Sequence, residues 1–231
     1  MNYSVRKKNK IVKYIVIHYT GMKTLKLAYR KLSDMSSNVS AHYLICKNGA
    51  ILNLICPKYK AWHAGKSKWQ NEININDYSI GIELENRGHE FGYTNYSEEQ
   101  YSSLKKLISF LKKNFYILER DIVFHSDIAP NRKKDPGEKF PWKYLARHKI
   151  GIWYKLPKKN LKLRNTSATL KEKNSFYNNL RKIGYCLQKK PKHLKSLIRA
   201  FQRRYRPKII NGKIDKECFE IAKNLVKRGL N

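Results

Sequence analysis

Two histidines in this chain each follow a short apolar run that is typical of a buried strand. His18 comes after Ile15-Val16-Ile17, and His125 comes after Ile122-Val123-Phe124. If these strands are neighbours in a sheet, the residues that follow them meet at the same edge. Asp135 lies ten residues beyond His125, a distance over which a loop can return a carboxylate to that edge. Two imidazoles, one carboxylate and an open fourth position are typical of a catalytic zinc site.

Spacing alone does not select these two histidines. An isolated histidine is more often a packed core or surface residue than a metal ligand, and the H-E-x-x-H pattern of thermolysin-like zinc sites is absent. From spacing alone, a metal site is therefore one of several interpretations of these residues. The chain has seven histidines, which are His18, His42, His63, His89, His125, His148 and His193.

The elements that would position these side chains can be predicted from apolar periodicity. Strands are predicted at residues 11–17, 40–46, 50–55, 79–85 and 122–124, with a hairpin turn at Asn48-Gly49. Helices are predicted near residues 24–33 and after Ser97, which opens a capping box with Gln100. Strands interspersed with helices in this order indicate an α/β fold with a central mixed β-sheet flanked by helices.

The composition changes after residue 154. Residues 155–175 are rich in Lys, Asn, Ser and Thr, which predicts a linker. Three short helical patterns follow, near residues 176–184, 193–205 and 215–228. We therefore predict a first domain at residues 1–154, a linker at 155–175 and a small three-helix domain at 176–231.

The formal net charge of +33 restricts the partner more than the fold. Nucleic acid, an anionic membrane and an acidic wall polymer are all candidates, although abundant Lys, Asn, Ile and Tyr can equally reflect an AT-rich genome. Because no nucleic-acid reading motif is present, we expect no nucleic-acid partner. The chain has no run of 18 apolar residues, so no transmembrane segment is predicted. Nothing in the sequence indicates the oligomeric state.

The four cysteines form no C-x-x-C pair. Neither a zinc ribbon nor a dense disulfide framework is therefore predicted, and ordinary buried thiols are expected. The cysteines are Cys46, Cys56, Cys186 and Cys218.

Five motifs occur in order along the first part of the chain. They are VIHYT (16–20), SAHYLI (40–45), AWHAG (61–65), SIGIELEN (79–86) and HSDIAPNRKKDPG (125–137). Together they resemble the type-2 N-acetylmuramoyl-L-alanine amidases, which are related to phage T7 lysozyme and to peptidoglycan recognition proteins. Within that family the motifs are most similar to the AmiD/AmpD branch. The resemblance covers about residues 11–145, and the additional C-terminal module favours the AmiD side of the branch.

This resemblance implies one zinc ion per chain, with His18, His125 and Asp135 as its ligands. It also implies that Glu83 is the catalytic glutamate and Lys133 the catalytic lysine. The implied reaction is hydrolysis of the amide between (anhydro-)N-acetylmuramic acid and L-alanine in peptidoglycan or muropeptides. Zinc would acidify a water molecule, the glutamate would move its proton, and the lysine would stabilise the oxyanion. The alternative is a peptidoglycan-binding protein without catalysis.

Further side chains within or near the motifs are candidate substrate contacts. The Trp62-His63 pair could line a groove for a sugar and a peptide, although packing explains it equally well. Asn86 and Arg132 are candidates only because they are close in sequence to the implied site. The full set of predicted contacts is His42, Tyr43, Trp62, His63, Asn86 and Arg132.

The C-terminal helices carry a resemblance of their own. The segment LIRAFQRRY (197–205), followed by NGKID (211–215), is similar to a three-helix peptidoglycan-binding domain, and the alternative is a helical packing appendage. A wall-binding domain favours the cell envelope (periplasm) or secretion. The basic N-terminus does not have the pattern of a signal peptide, which leaves the cytoplasm as the alternative.

Overall fold

The secondary structure alternates between short strands and helices. The computed structural model describes residues 2–157, 160, 163–164 and 166–229. The strands are β1 (Ser4–Val5), β2 (Tyr14–Tyr19), β3 (Tyr43–Ile45), β4 (Ile51–Asn53), β5 (Tyr59–Lys60), β6 (Lys68–Trp69), β7 (Glu72–Ile73), β8 (Ser79–Leu84) and β9 (Ile122–Phe124). The α-helices are α1 (Leu25–Ser33), α2 (Glu98–Phe115), α3 (His125–Ile128), α4 (Trp142–Arg147), α5 (Leu170–Ile183), α6 (Pro191–Tyr205) and α7 (Lys216–Gly229).

Five strands form the central sheet, in the order β4-β3-β8-β2-β9. The β3–β4 hairpin is antiparallel, and the pairs β3–β8, β8–β2 and β2–β9 are parallel. The predicted mixed sheet is therefore confirmed. The predicted strand at 11–17 is displaced toward the C-terminus, because the strand runs from Tyr14 to Tyr19 and includes His18.

The two central strands are buried on both faces, which explains their nearly continuous apolar sequence. Ile15, Val16 and Ile17 of β2 are fully buried, and so are Ile80 and Ile82 of β8. Parallel strands covered by helices on both sides have this composition. Helix α2 covers one face with Leu104, Ile108, Leu111 and further apolar residues, and it begins at the predicted capping box of Ser97 and Gln100.

Helix α5 begins at Leu170, inside the segment predicted as a linker. Thr169 caps it, with Glu172 completing a capping box. The prediction of a linker up to residue 175 is therefore wrong, because the first turn of the helix is polar and was interpreted as loop. Residues 158–159, 161–162 and 165 of the predicted linker lie outside the described part of the chain.

The C-terminal helices share an apolar core with the sheet. Phe176, Leu180 and Phe201 belong to the same buried cluster as Phe124 of β9. The ring of Tyr185, just after α5, packs edge-on against Trp69, with 4.9 Å between the ring centroids. These helices therefore pack against the sheet layer, while the division into domains stays a prediction. Among the described helices, none is long and apolar enough to cross a membrane.

Because this core is shared, we expect Phe201→Ala to destabilise the whole chain. Phe201 is fully buried against Phe176 and Tyr205, and a cavity of this kind costs about 3–5 kcal/mol of unfolding free energy. Urea unfolding followed by tryptophan fluorescence measures the loss. The matched control is Phe110→Ala, because Phe110 is 59 % exposed and its truncation should cost less than about 0.5 kcal/mol. Equal losses for both variants would contradict the shared core.

Candidate active site

Three side chains converge at the edge of the sheet where β2 and β9 end. The Nδ1 atoms of His18 and His125 lie 2.9 Å apart, and Asp135 Oδ2 lies 3.1 Å from the first and 2.9 Å from the second. All three residues are buried. The structure thus brings together the trio that the sequence singled out, as a group that could hold a metal ion.

The register of the parallel strands produces this convergence. Ile17 of β2 pairs with Phe124 of β9, so His18 and His125 follow at the same level. The loop that carries Asp135 is fixed to the start of α3, because Ser126 N donates to Asp135 O at 3.1 Å. Tyr93 and Tyr96 also donate their hydroxyl protons to Pro136 O, at 2.7 and 2.6 Å.

A chain of hydrogen bonds leading away from the site fixes the tautomer of His18. Ser79 Oγ donates to Ile75 O at 2.6 Å, so it can only accept from His63 Nε2, 3.2 Å away. Burial lowers the pKa of His63 well below its usual value, and the neutral ring therefore offers Nδ1 as an acceptor. That acceptor receives the Nε2 proton of His18 at 3.0 Å.

The Nδ1 atom of His18 is consequently a bare lone pair. Burial, followed by the nearby His125, lowers the pKa of His18 to about 4, which keeps this ring neutral as well. Fixing of the tautomer by a partner on the far ring nitrogen is the usual arrangement of a metal-binding histidine.

The other two members of the trio turn donor atoms toward the same point. His125 Nε2 donates to Ala64 O at 3.1 Å, so Nδ1 is the ring nitrogen that faces His18 and Asp135. Burial raises the pKa of Asp135, but His125 and His18 outweigh it and hold that pKa well below its usual range. Asp135 is therefore a carboxylate. Three donor atoms this close require a cation between them, either an extra proton or a metal ion.

The donor set and its dimensions fit zinc. Two imidazole nitrogens and one carboxylate oxygen are a common catalytic zinc set, with metal–ligand distances that place tetrahedral donors about 3.3 Å apart. The observed separations of 2.9–3.1 Å are close to that value.

A glycine in β8 makes room for the hydrogen-bonded chain behind His18. A Cβ atom on Gly81 would lie 2.3 Å from Cγ of His63, which is far inside contact distance. His63 therefore packs into the sheet layer and supports His18, and its role as a substrate contact stays a prediction. Its ring reaches the base of the cleft but is 6 % exposed.

Glu83 lies beside the trio, on the neighbouring strand. It pairs with His18 across β2 and β8, and it is 8 % exposed. Within the described part of the chain its Oε2 atom has no hydrogen-bond partner. Burial raises the pKa of Glu83 well above its usual value, Asp135 adds to the effect, and Lys133 opposes it. This carboxyl group is therefore poised to hold or accept a proton at the site.

A cleft of about 560 Å³ opens over these residues. His18, Glu83, His125 and Asp135 form part of its lining. Basic side chains outnumber acidic ones around it, which favours an anionic ligand. The basic residues of the lining are Lys31, Arg87, Arg132, Lys133 and Lys134.

Four of the predicted substrate contacts lie outside the cleft lining. His42 is fully buried: its Nε2 atom donates to Tyr59 O at 3.1 Å, and its Nδ1 atom accepts from Gly81 N at 2.9 Å. Asn86 is buried and donates to Thr94 O at 2.9 Å. For both residues direct contact with a substrate stays a prediction.

Tyr43 and Trp62, the other two predicted contacts outside the cleft lining, pack elsewhere. Tyr43 is buried in β3, and Trp62 donates from Nε1 to Ser4 Oγ at 2.8 Å. Arg132, in contrast, lines the cleft, where it donates to Ala64 O and Lys66 O at 3.0 and 2.7 Å. Its role as a substrate contact stays a prediction.

One wall of the cleft was not predicted from the sequence. Tyr19 and His89 line it, with 2.9 Å between the Tyr19 hydroxyl oxygen and His89 Nδ1. The other ring nitrogen of His89 lies 3.1 Å from Glu138 Oε2, and its ring stacks on Tyr93. No local pattern marks His89, because its partners come from three separate segments.

A buried His₂Asp site beside a buried glutamate, at the edge of a mixed α/β sheet, defines a hydrolase of the amidase type. Residues 7–138 match the sequence pattern of the N-acetylmuramoyl-L-alanine amidases. The chain belongs to this family, and its similarity is to the AmiD/AmpD type.

Similarity to AmiD extends over the C-terminal helices, whereas similarity to AmpD covers about half of the chain. The chain is 34 % identical to the N-acetylmuramoyl-L-alanine amidase AmiD of Escherichia coli over 232 residues, which cover 94 % of this chain and 83 % of that protein. The 1,6-anhydro-N-acetylmuramyl-L-alanine amidase AmpD of Haemophilus influenzae is 42 % identical but matches only 47 % of this chain and 58 % of its own length.

Solved structures give the same result. The E. coli AmiD structure, a complex with anhydro-N-acetylmuramic acid-L-Ala-D-γ-Glu-L-Lys, has a TM-score of 0.84 at 33 % identity and covers 97 % of this chain and 93 % of its own. AmpDh3 of Pseudomonas aeruginosa has a TM-score of 0.85 at 30 % identity and covers 99 % and 97 %.

Since His63 fixes the tautomer of His18, we expect His63→Ala to weaken zinc binding about 10- to 100-fold. Competition with a chromophoric chelator measures the affinity. His148→Ala is the matched control, because His148 is exposed and its ring packs against that of Tyr144, away from the trio. An unchanged zinc affinity in His63→Ala would contradict the hydrogen-bonded chain described above.

Proposed function

We propose that this amidase is zinc-dependent and hydrolyses the amide between N-acetylmuramic acid, including its 1,6-anhydro form, and L-alanine. The observation that carries the proposal is the meeting of two imidazole nitrogens and one carboxylate oxygen beside the buried Glu83. His18, His125 and Asp135 would hold the metal. When bound, zinc supplies a Lewis acid that lowers the pKa of a water molecule toward about 7 and polarises a carbonyl.

Glu83 is the general base and acid in this proposal. Its raised pKa and its position beside His18 suit it to take a proton from the attacking water. It then returns the proton to the amide nitrogen as the carbon–nitrogen bond breaks. The products are a muramic-acid carboxylate and a peptide with a free L-alanine amine.

Lys133 would stabilise the negative charge that develops on the carbonyl oxygen. It lines the cleft, and its charge acts on both Glu83 and His18. A cation at that position would lower the energy of the tetrahedral transition state more than that of the ground state.

The charge of the cleft supports an anionic muropeptide as the substrate. Five basic side chains line it, against Glu83, Glu90 and Asp135. The E. coli and P. aeruginosa relatives have been solved with an anhydro-muramoyl tripeptide and an anhydromuramic pentapeptide. By similarity, we infer that soluble anhydro-muropeptides are substrates of this chain.

We also propose that the chain acts in the cell envelope. The formal charge of +33 favours association with an anionic wall polymer, and similarity to AmiD includes the C-terminal helices. Fractionation of cells that express the untagged chain tests this compartment, and recovery in the cytoplasm alone would refute it.

Removal of zinc should abolish peptide release from muropeptides, and added zinc should restore it. Mass spectrometry of digests, with substrates that have or lack the anhydro end, identifies the bond and the preferred sugar. We expect a free peptide that begins with L-alanine. Undiminished cleavage after exhaustive chelation would refute zinc dependence. Binding of muropeptides without any cleavage by the zinc-loaded protein would favour the non-catalytic alternative.

Glu83→Gln should retain one zinc per chain and lose about 10²- to 10⁴-fold in kcat, because only proton transfer is removed. Elemental analysis and steady-state kinetics on one preparation measure the two quantities. Glu85→Gln is the matched control, since Glu85 accepts from Lys47 N at 2.8 Å and lies outside the cleft lining. A Glu83→Gln enzyme with normal kcat would refute the assignment of the base.

A further inference from the structure

A buried carboxylate two residues after His125 receives hydrogen bonds from the C-terminal helical region. Asp127 is 1 % exposed and lies within α3, the short helix that begins at His125. Its Oδ2 atom accepts from Phe124 N at 2.9 Å, which fixes α3 to the end of β9. Tyr185 donates its hydroxyl proton to Oδ1 at 2.7 Å, and Arg204 Nη1 donates to Oδ2 at 2.5 Å.

The same guanidinium group also holds the strand that leads to His125. Arg204 Nη2 donates to Ile122 O at 3.0 Å, so one planar fork connects β9 and α3 on the two sides of His125. A fork of this kind restricts direction as well as distance, which a single ammonium group cannot do.

Arg204 is itself fixed by the surrounding rings. It is 2 % exposed, and its guanidinium carbon lies 4.0 Å from the centroid of one ring of Trp142 and 5.3 Å from that of Phe124. Stacking over aromatic faces orients a guanidinium group and favours its charge. The position of α3 therefore depends, through the Arg204 side chain, on the position of α6.

The preceding residue of α6 approaches the opposite side of the site. Arg203 Nε lies 3.7 Å from Glu138 Oε2, and Glu138 contacts His89 in the cleft wall. Arg204 therefore contacts Asp127, which lies in the same short helix as His125. The adjacent Arg203 lies close to Glu138, which contacts His89 in the cleft wall.

We propose that Arg204, together with Tyr185, is a positioning residue for the metal ligand His125 and acts through Asp127. This inference rests on the proposed function of the His18–His125–Asp135 trio. The C-terminal helices are then part of the amidase site, beyond any role in binding the wall. Without the fork, α3 loses its connection to α6 and to Ile122, and His125 Nδ1 is held less tightly toward the point where the three donors meet.

The test compares Arg204→Met, Arg204→Lys and Tyr185→Phe, with Arg181→Met as the matched control. Arg181 is exposed on α5 and contacts Asn178 of its own helix. Zinc affinity is measured by chelator competition. The visible spectrum of the cobalt-substituted protein reports the geometry of the metal site, and kcat and KM are measured with an anhydro-muropeptide.

We expect Arg204→Met to bind zinc about 10- to 100-fold more weakly and to lose kcat at saturating zinc with little change in KM. Arg204→Lys should be intermediate, because lysine can pair with Asp127 but cannot also reach Ile122 O in the same geometry. Tyr185→Phe should lose about fivefold in zinc affinity, the effect of one hydrogen bond. Arg181→Met should match the unaltered protein.

Arg204→Lys and Tyr185→Phe carry the test if Arg204→Met does not fold. Zinc affinities and cobalt spectra in both that equal those of the unaltered protein would overturn the inference, even if their melting temperatures fall. If the unaltered protein binds zinc but cleaves no muropeptide, the proposed function fails. The affinity and cobalt measurements still decide the positioning role in that case.

Discussion

Two imidazole nitrogens and one carboxylate oxygen meet at one point above the ends of β2 and β9, and their lone pairs repel one another unless a cation lies among them. Burial of these groups is costly, so the surrounding chain must hold them in place. The parallel register sets His18 and His125 at the same level, and Ser126 fixes the loop of Asp135. The hydrogen bonds behind each ring then decide which nitrogen faces the site. Much of the sheet layer serves this one arrangement.

Much of the fold could be predicted from the sequence, because its signals are local. Apolar runs at β2, β8 and β9 mark strands that are buried on both faces, and the capping box at Ser97 marks the start of α2. The convergence of His18, His125 and Asp135 was predictable for a related reason. The two histidines directly follow apolar runs, and parallel neighbouring strands bring such residues together. The ordered motifs selected His18 and His125 from the seven histidines, a choice that periodicity did not make.

The parts that could not be predicted depend on contacts between distant segments. His63 and His42 occur in motifs, yet nothing local shows that both rings turn inward around Gly81. The ion pair between Asp127 and Arg204 joins residues 77 positions apart, and no spacing rule anticipates it. The start of α5 had a local signal in its capping box, but the polar first turn after Leu170 resembles a linker in composition. At the start of α5 the capping box therefore indicates the helix, whereas the composition does not.

The buried pair of Asp127 and Arg204 bears on what the C-terminal helices do. An ion pair removed from water seldom adds stability over an apolar pair of the same volume, so its presence is better explained by the geometry that it imposes. The inner face of α6 is committed to the sheet layer through Leu197, Phe201 and Arg204. Its outer face presents the exposed side chains of Lys192 and Lys195. One helix can thus aim a metal ligand from its buried side and attract an anionic wall polymer from its exposed side, because the two tasks use different residues.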